Sequence, residues 1–260
     1  MKTKKESHDL SQLSKNLIKE IFHLDRNIPA TVFKLMTRPG YLTRAFFYHP
    51  KEKWVQPFKL YLALNLIFFI LTPLLNSSNF EVFSFNVRSR MELDNAFNQK
   101  MESLCQKQNI PKEICVERFN AHIKYNQPAL LFLLIPFWGL LLQILSIRKD
   151  APFSLHLTHA MHLLAYLLIL LLSILGIFQG IVWILNALHI SDKLIGLLIV
   201  PTIAFGFLIY LYRSIRLVYD DKIRWALLKT GIAFVGFIVI LGGYVNFLFH
   251  YTYIALNLGY

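Results

Sequence analysis

Carboxylates are scarce in this chain, and their distribution narrows its chemistry. There are 15 Asp and Glu against 27 Lys and Arg in 260 residues, and none of the 15 falls inside a long apolar run. Charged residues make up only 16% of the sequence, where a soluble domain carries about 25%. There are two cysteines, which alone cannot complete a tetrahedral metal site. No phosphate-binding loop, nucleophile elbow, kinase signature or HExxH sequence is present. These absences exclude the common soluble catalytic domains. The lack of acids in the apolar runs also removes the usual coupling group of proton- or ion-driven carriers.

What the chain does contain is long apolar sequence. Hydrophobic residues are 55% of the total and the mean hydropathy is +0.47. Several runs exceed the roughly 18 residues that indicate a membrane span. Five spans are expected: 57–75, 128–147, 156–186, 194–212 and 231–255. At 1.5 Å per residue each can cross a hydrocarbon layer of about 30 Å. The first run starts too late for a cleavable signal peptide, so it is expected to remain as a signal anchor. The expected fold class is therefore an all-α, polytopic transmembrane helix bundle.

The net charge of +12 follows the same logic. No recognisable nucleic-acid module interleaves the basic residues with stacking aromatics, so nucleic acid is not expected as a partner. Lys and Arg instead flank the spans. Residues 1–59 hold twelve, the 148–155 loop adds Arg148 and Lys149, and the 213–230 segment adds five more. In the 76–127 loop seven basic residues are nearly balanced by six acids. The positive-inside rule then places the amino terminus in the cytoplasm and the carboxyl terminus outside.

Residues 1–56 read as cytoplasmic-face amphipathic or interfacial helices. Leu10, Leu13, Leu17, Ile21 and Leu24 form one apolar stripe. Short helices at "PATVFKLMTR" and "YLTRAFFY" are separated by Arg38-Pro39-Gly40. Trp54 and Lys59 anchor the entry to the first span, Lys59 by snorkelling. Arg213 and Arg216, three residues apart on the basic segment 213–230, form with Lys59 a candidate site for anionic lipid headgroups or phosphate. Residues 76–127 read as a small helical extracytoplasmic insertion. Cys105 and Cys115 both fall there, in a compartment where they can form a disulfide across the turn at Asn109, Ile110 and Pro111.

The one concentrated polar feature is "HLTHAMH", with His156, His159 and His162 at three-residue spacing. On a helix neighbouring members adjoin, and the outer two sit about 120° apart. Two readings stay open. The cluster is the polar, hydrogen-bonded end of a buried helix, or it supplies two ligands to a metal whose other ligands lie elsewhere. No cofactor is required by the first reading.

The residues also resemble an uncharacterised bacterial inner-membrane family, a domain of unknown function. The resemblance lies in Leu24-Asp25-Arg26, then Arg38-Pro39-Gly40, then a basic-aromatic stretch ending at Pro57-Phe58. The His-x5-His pattern of the third span matches His156 and His162, and "YLYRSIRLVYDDKIRWALLKT" is similar to the closing segment of the family. Many members carry Glu before the first histidine, where this chain has Leu155. Many also carry a Cys-x-x-Cys zinc ribbon that has no counterpart here. The resemblance implies a bacterial inner-membrane location and implies no activity.

The functional expectation is a non-enzymatic membrane component that is channel-like, lipid-contacting or concerned with assembly. Its expected partners are membrane lipids, anionic headgroups and further copies of itself in a homo-oligomer. The alternatives are a membrane enzyme built on His156, His159 and His162, and a carrier of anionic lipid or phosphate.

Overall fold

The computed structural model describes residues 27–49, 52–75, 90–91, 94–187 and 192–257. The stripe from Leu10 to Leu24 lies outside the described residues. Among those described the chain is helical and contains no strand. The helices are α1 (Ile28–Thr37), α2 (Tyr41–Tyr48), α3 (Pro57–Leu75), α4 (Asn95–Lys107) and α5 (Lys112–Leu130). They continue with α6 (Leu134–Leu145), α7 (Phe153–Ala187), α8 (Asp192–Tyr219) and α9 (Ile223–Asn257). A tight 3-10 turn at Leu131–Leu133 joins α5 to α6.

Three stretches are long and apolar enough to cross a membrane: Lys112–Leu145, Phe153–Ile174 and Ile223–Asn257. Pro57–Thr72 is a shorter apolar helix. Two expected span ends do not coincide with helix ends. The 128–147 run does not begin a new helix, because Pro128 lies inside α5. Its missing N–H is tolerated where the helix tightens into the 3-10 turn that follows. The basic segment 213–230 is also mostly helical: α8 runs on to Tyr219, and a turn with left-handed Asp220 leads into α9 at Ile223.

The chain divides into two compact units, Met1–Leu75 with Ile135–Gly236, and Asn76–Leu134 with Phe237–Tyr260. In the first unit α3 packs along α7, α8 packs on α7, and α1 and α2 close on α7 and α8. Leu60, Tyr61, Trp138, Leu142, Leu163 and Leu211 are buried there. Trp138 meets Phe207 edge-on at 5.8 Å. The first turns of α9 show the opposite pattern. Trp225, Leu228, Ile232 and Val235 recur every three or four residues along one face, and all are exposed. An apolar stripe of that kind is costly in water and natural in lipid.

In the second unit α4 and α5 form a hairpin closed by a disulfide between Cys105 and Cys115. Asp94 caps α4 by accepting from the Phe97 N–H. Phe97, Phe119 and Phe249 share one cluster, with centroids 5.4–6.1 Å apart. Lys107 Nζ reaches Asn257 Oδ1 at 2.8 Å, and Gln108 donates to the Leu256 carbonyl at 2.9 Å. A cation and a donor therefore satisfy the negative C-terminal end of α9. Opening the disulfide by Cys105→Ser is expected to cost about 2–3 kcal/mol, from the chain entropy of a short closed loop. Urea unfolding followed through this hairpin, with and without reductant, measures it; equal midpoints would refute it.

Candidate functional site

The histidine cluster sits at the start of α7, and its surroundings follow from helical spacing. On α8 the buried positions Tyr210, Leu211, Ser214, Ile215, Val218 and Tyr219 form one face. That face places Ser214 and Tyr219, five residues apart, beside α7. His156 Nδ1 lies 2.9 Å from Tyr219 Oη, and His159 Nδ1 lies 3.2 Å from the same oxygen. His159 Nε2 is 2.6 Å from Ser214 Oγ. His162, nearly one turn further along and adjoining His159, has its Nδ1 2.9 Å from Thr43 Oγ1 of α2. His156, His159 and His162 are all buried, and so are their hydroxyl partners.

Proton counting constrains this chain of bonds. The Tyr219 hydroxyl has one proton and two imidazole neighbours. When it donates to one ring, the other ring must donate to it, so neutral His156 and His159 hold their protons on different nitrogens. The choice at His159 then decides whether Ser214 donates or accepts. Two arrangements satisfy Tyr219, His159 and Ser214, and both leave His159 with no spare lone pair. A metal ligated by His159 would have to displace Tyr219 or Ser214. No group of three or more His, Cys, Asp or Glu suited to a metal occurs among the described residues.

The cluster also fastens the two short helices. Four contacts run in register along α8 and α7. Tyr210 Oη donates to the Leu35 carbonyl at 2.9 Å. Gly40, at φ +78°, lies against Ser214, where an added Cβ would come within 2.9 Å of the backbone oxygen. Thr43 meets His162, and Arg44 Nη1 donates to the Leu217 carbonyl at 3.2 Å. The ring of Tyr210 is itself stacked on Tyr166 at 3.4 Å. Beyond Tyr219, buried Asp221 pairs with Lys229 at 2.7 Å and Lys149 at 3.1 Å. This joins the turn after α8 to α9 and to the segment after α6.

The other residues singled out in the sequence are not among the buried partners of the histidines. Lys59 is half-buried in the first turn of α3, and Arg213 and Arg216 are exposed near the end of α8. Thr43, Ser214, Tyr219 and Asp221 were not singled out. Ser214 and Tyr219 could have been found from the burial period of α8, since they are the polar members of its apolar face. Thr43 carries no local signal at all.

A second, exposed cluster ties α2 to the segment that follows. Tyr41 Oη donates to Glu52 Oε2 at 2.7 Å, and Trp54 Nε1 donates to the same oxygen. Lys34 Nζ lies 4.7 Å from the Tyr41 ring centre. The bonds from Trp54 and then Tyr41 hold the Glu52 carboxyl below its ordinary value of 4.5. The bond to Glu52 raises the Tyr41 phenol. Because the folded carboxyl value is depressed, its contribution is present above the unfolded pKa and is lost as pH falls through the folded one. Trp54 fluorescence is expected to change in that acidic window in the native protein and not in Glu52→Gln; identical acid titrations would refute the assignment.

Residues 25–69 match the family described as a protein of unknown function (DUF3667). The match includes Leu35, Gly40, Thr43 and Arg44, the four positions of the contacts to α7 and α8 described above. No curated protein and no solved structure matches the chain.

Proposed function

We propose that this protein is a non-enzymatic, lipid-contacting component of the bacterial inner membrane that serves assembly there. Five spans, a cytoplasmic amino terminus and an extracytoplasmic α4–α5 hairpin complete the reading. The observation that carries it is the closure of the histidine cluster. Its hydroxyl partners are protein groups, and they lock the family-matching segment onto α7 and α8. A centre spent on fastening presents a fixed surface rather than a reaction site. The exposed apolar stripe of α9 and the disulfide in the hairpin support the membrane and the topology.

Metal analysis of the purified protein tests the first part. Sub-stoichiometric iron and zinc, unchanged in His159→Ala, is the expected result. Stoichiometric metal lost in that variant would overturn the reading in favour of a membrane enzyme. Reporter fusions at residue 125 and at the amino terminus test the topology, and equal cytoplasmic signals from both would refute it.

A further inference from the structure

The four contacts along α8 and α7 have a second result: they bring together cations from two distant parts of the chain. Gly40 against Ser214 sets Arg38 and Arg213 on either side of that contact in the sequence. Arg44 bonds the Leu217 carbonyl, directly after Arg216. Arg38, Arg213 and Arg216 are exposed and Arg44 is half-buried.

The acids of this region are few and mostly occupied. Between residues 27 and 49 there are three cations and no acid, and α8 has only Asp192, at its opposite end. Glu52 is held by Tyr41 and Trp54. Asp221 is held by Lys149 and Lys229. Asp220 is exposed, and among the described residues no ion pair joins it to Arg216. The same short helices expose large apolar side chains, Phe33 at 68% and Phe46 at 44%. Arginines without counter-charges among the described residues, beside outward-facing aromatics, match the headgroup layer, where rings sit among acyl ends and cations meet phosphate.

We propose that Arg38, Arg44, Arg213 and Arg216 form a rim that binds the phosphate of an anionic phospholipid, with Phe33 and Phe46 seated beside it in the membrane interface. Guanidinium suits the role because its planar fork pairs two phosphate oxygens at once. Arg44 is pre-oriented by its bond to Leu217, so less freedom is lost on binding. This inference rests on the membrane reading above and adds a ligand and a place to it.

The test uses the full chain in a neutral detergent and an acyl-labelled phosphatidylglycerol, followed by anisotropy, with phosphatidylcholine of the same chains as control. Native protein is expected to prefer phosphatidylglycerol, and added salt is expected to weaken binding. Arg213→Gln with Arg216→Gln is expected to weaken it about thirtyfold, at about fivefold per surface charge. Arg38→Gln should add a further factor of about fivefold, and Lys124→Gln, on α5, should change nothing. Arg44 is left intact because it also holds α8. Equal affinity for both lipids, or unchanged binding in the double variant with a native melting profile, would overturn the proposal. Displacement of the lipid by inorganic phosphate alone, at the lipid's own concentration, would also overturn it, because the site would then take a free anion. Failure of the membrane reading would show differently, as release of the protein from membranes at alkaline pH.

Discussion

Replacing His159 with alanine is expected to cost about 3–5 kcal/mol of stability. The imidazole is fully buried and bonds Tyr219 at 3.2 Å and Ser214 at 2.6 Å. Its removal opens a cavity and strips partners from two buried hydroxyls. Leaving a buried polar group unpaired costs about 1–3 kcal/mol each, and the cavity adds to that. Tyr219→Phe should cost less, about 1–3 kcal/mol, since it deprives His156 and His159 of one shared hydroxyl but preserves the ring. The pair should also be non-additive, because both variants break the same bond. Unfolding in mixed micelles with rising dodecyl sulfate measures both single variants and their combination. A His159→Ala variant within about 1 kcal/mol of native would show that the imidazole fastens nothing. Equal and additive losses would show that His159 and Tyr219 act independently.

Gly40→Ala is the second large effect, at about 2–4 kcal/mol, and its cause is the backbone. A φ of +78° is natural for glycine and costs an L-residue about 1–2 kcal/mol. The new Cβ would also stand 2.9 Å from the Ser214 carbonyl oxygen and 3.0 Å from its Cα. Neither atom belongs to a flexible side chain, so α8 or the whole Arg38–Gly40 turn must move. Overpacking of that kind typically costs about 1–3 kcal/mol. Gly176→Ala is the control, because nothing lies within 4 Å of the place its new methyl would take and its φ is ordinary. It should be neutral or slightly stabilising in its helix. A Gly40→Ala protein that unfolds together with Gly176→Ala would refute the close approach. A spread between them that vanishes in Gly40→Ala combined with Ser214→Gly would show that the side chain of Ser214, and not its carbonyl, was the obstacle.

The two substitutions act on the same structure from opposite ends. His159 and Ser214 hold α7 to α8, while Gly40 lets α1 and α2 approach that pair. Loosening either should also lower phosphatidylglycerol binding, because the arginine rim depends on the register of α2 along α8. That loss is expected to track the melting temperature, unlike the loss in Arg213→Gln with Arg216→Gln.

Much of the architecture could be read from local pattern. The break at Arg38-Pro39-Gly40 separates α1 from α2 as expected, since proline starts or stops a helix and glycine accepts the left-handed turn. The pairing of Cys105 with Cys115 was legible from their separation across a turn at Asn109, which adopts φ +52°. The expected start of a span at 128 does not coincide with a helix start, because Pro128 in a continuing helix gives the same signal as a proline at a helix beginning.

The histidine spacing on its own left both a metal site and a buried hydrogen-bonded end open, since both need the same residues on the same face. Which partners they meet was settled only by packing. Thr43 and His162 are 119 residues apart in the chain, and no periodicity links them. Gly40 was visible as part of a pattern, but the reason for glycine there is a backbone oxygen in another helix.

The linear order of side chains thus determined that these segments become helices with greasy flanks, because helix formation and burial preference depend on neighbours within one or two turns. The folded arrangement alone decided that three imidazoles are answered by Thr43, Ser214 and Tyr219 and that Arg44 meets the carbonyl of Leu217. Those outcomes depend on which faces meet across the bundle, and that is set by the joint fit of many side chains rather than by any one stretch of sequence.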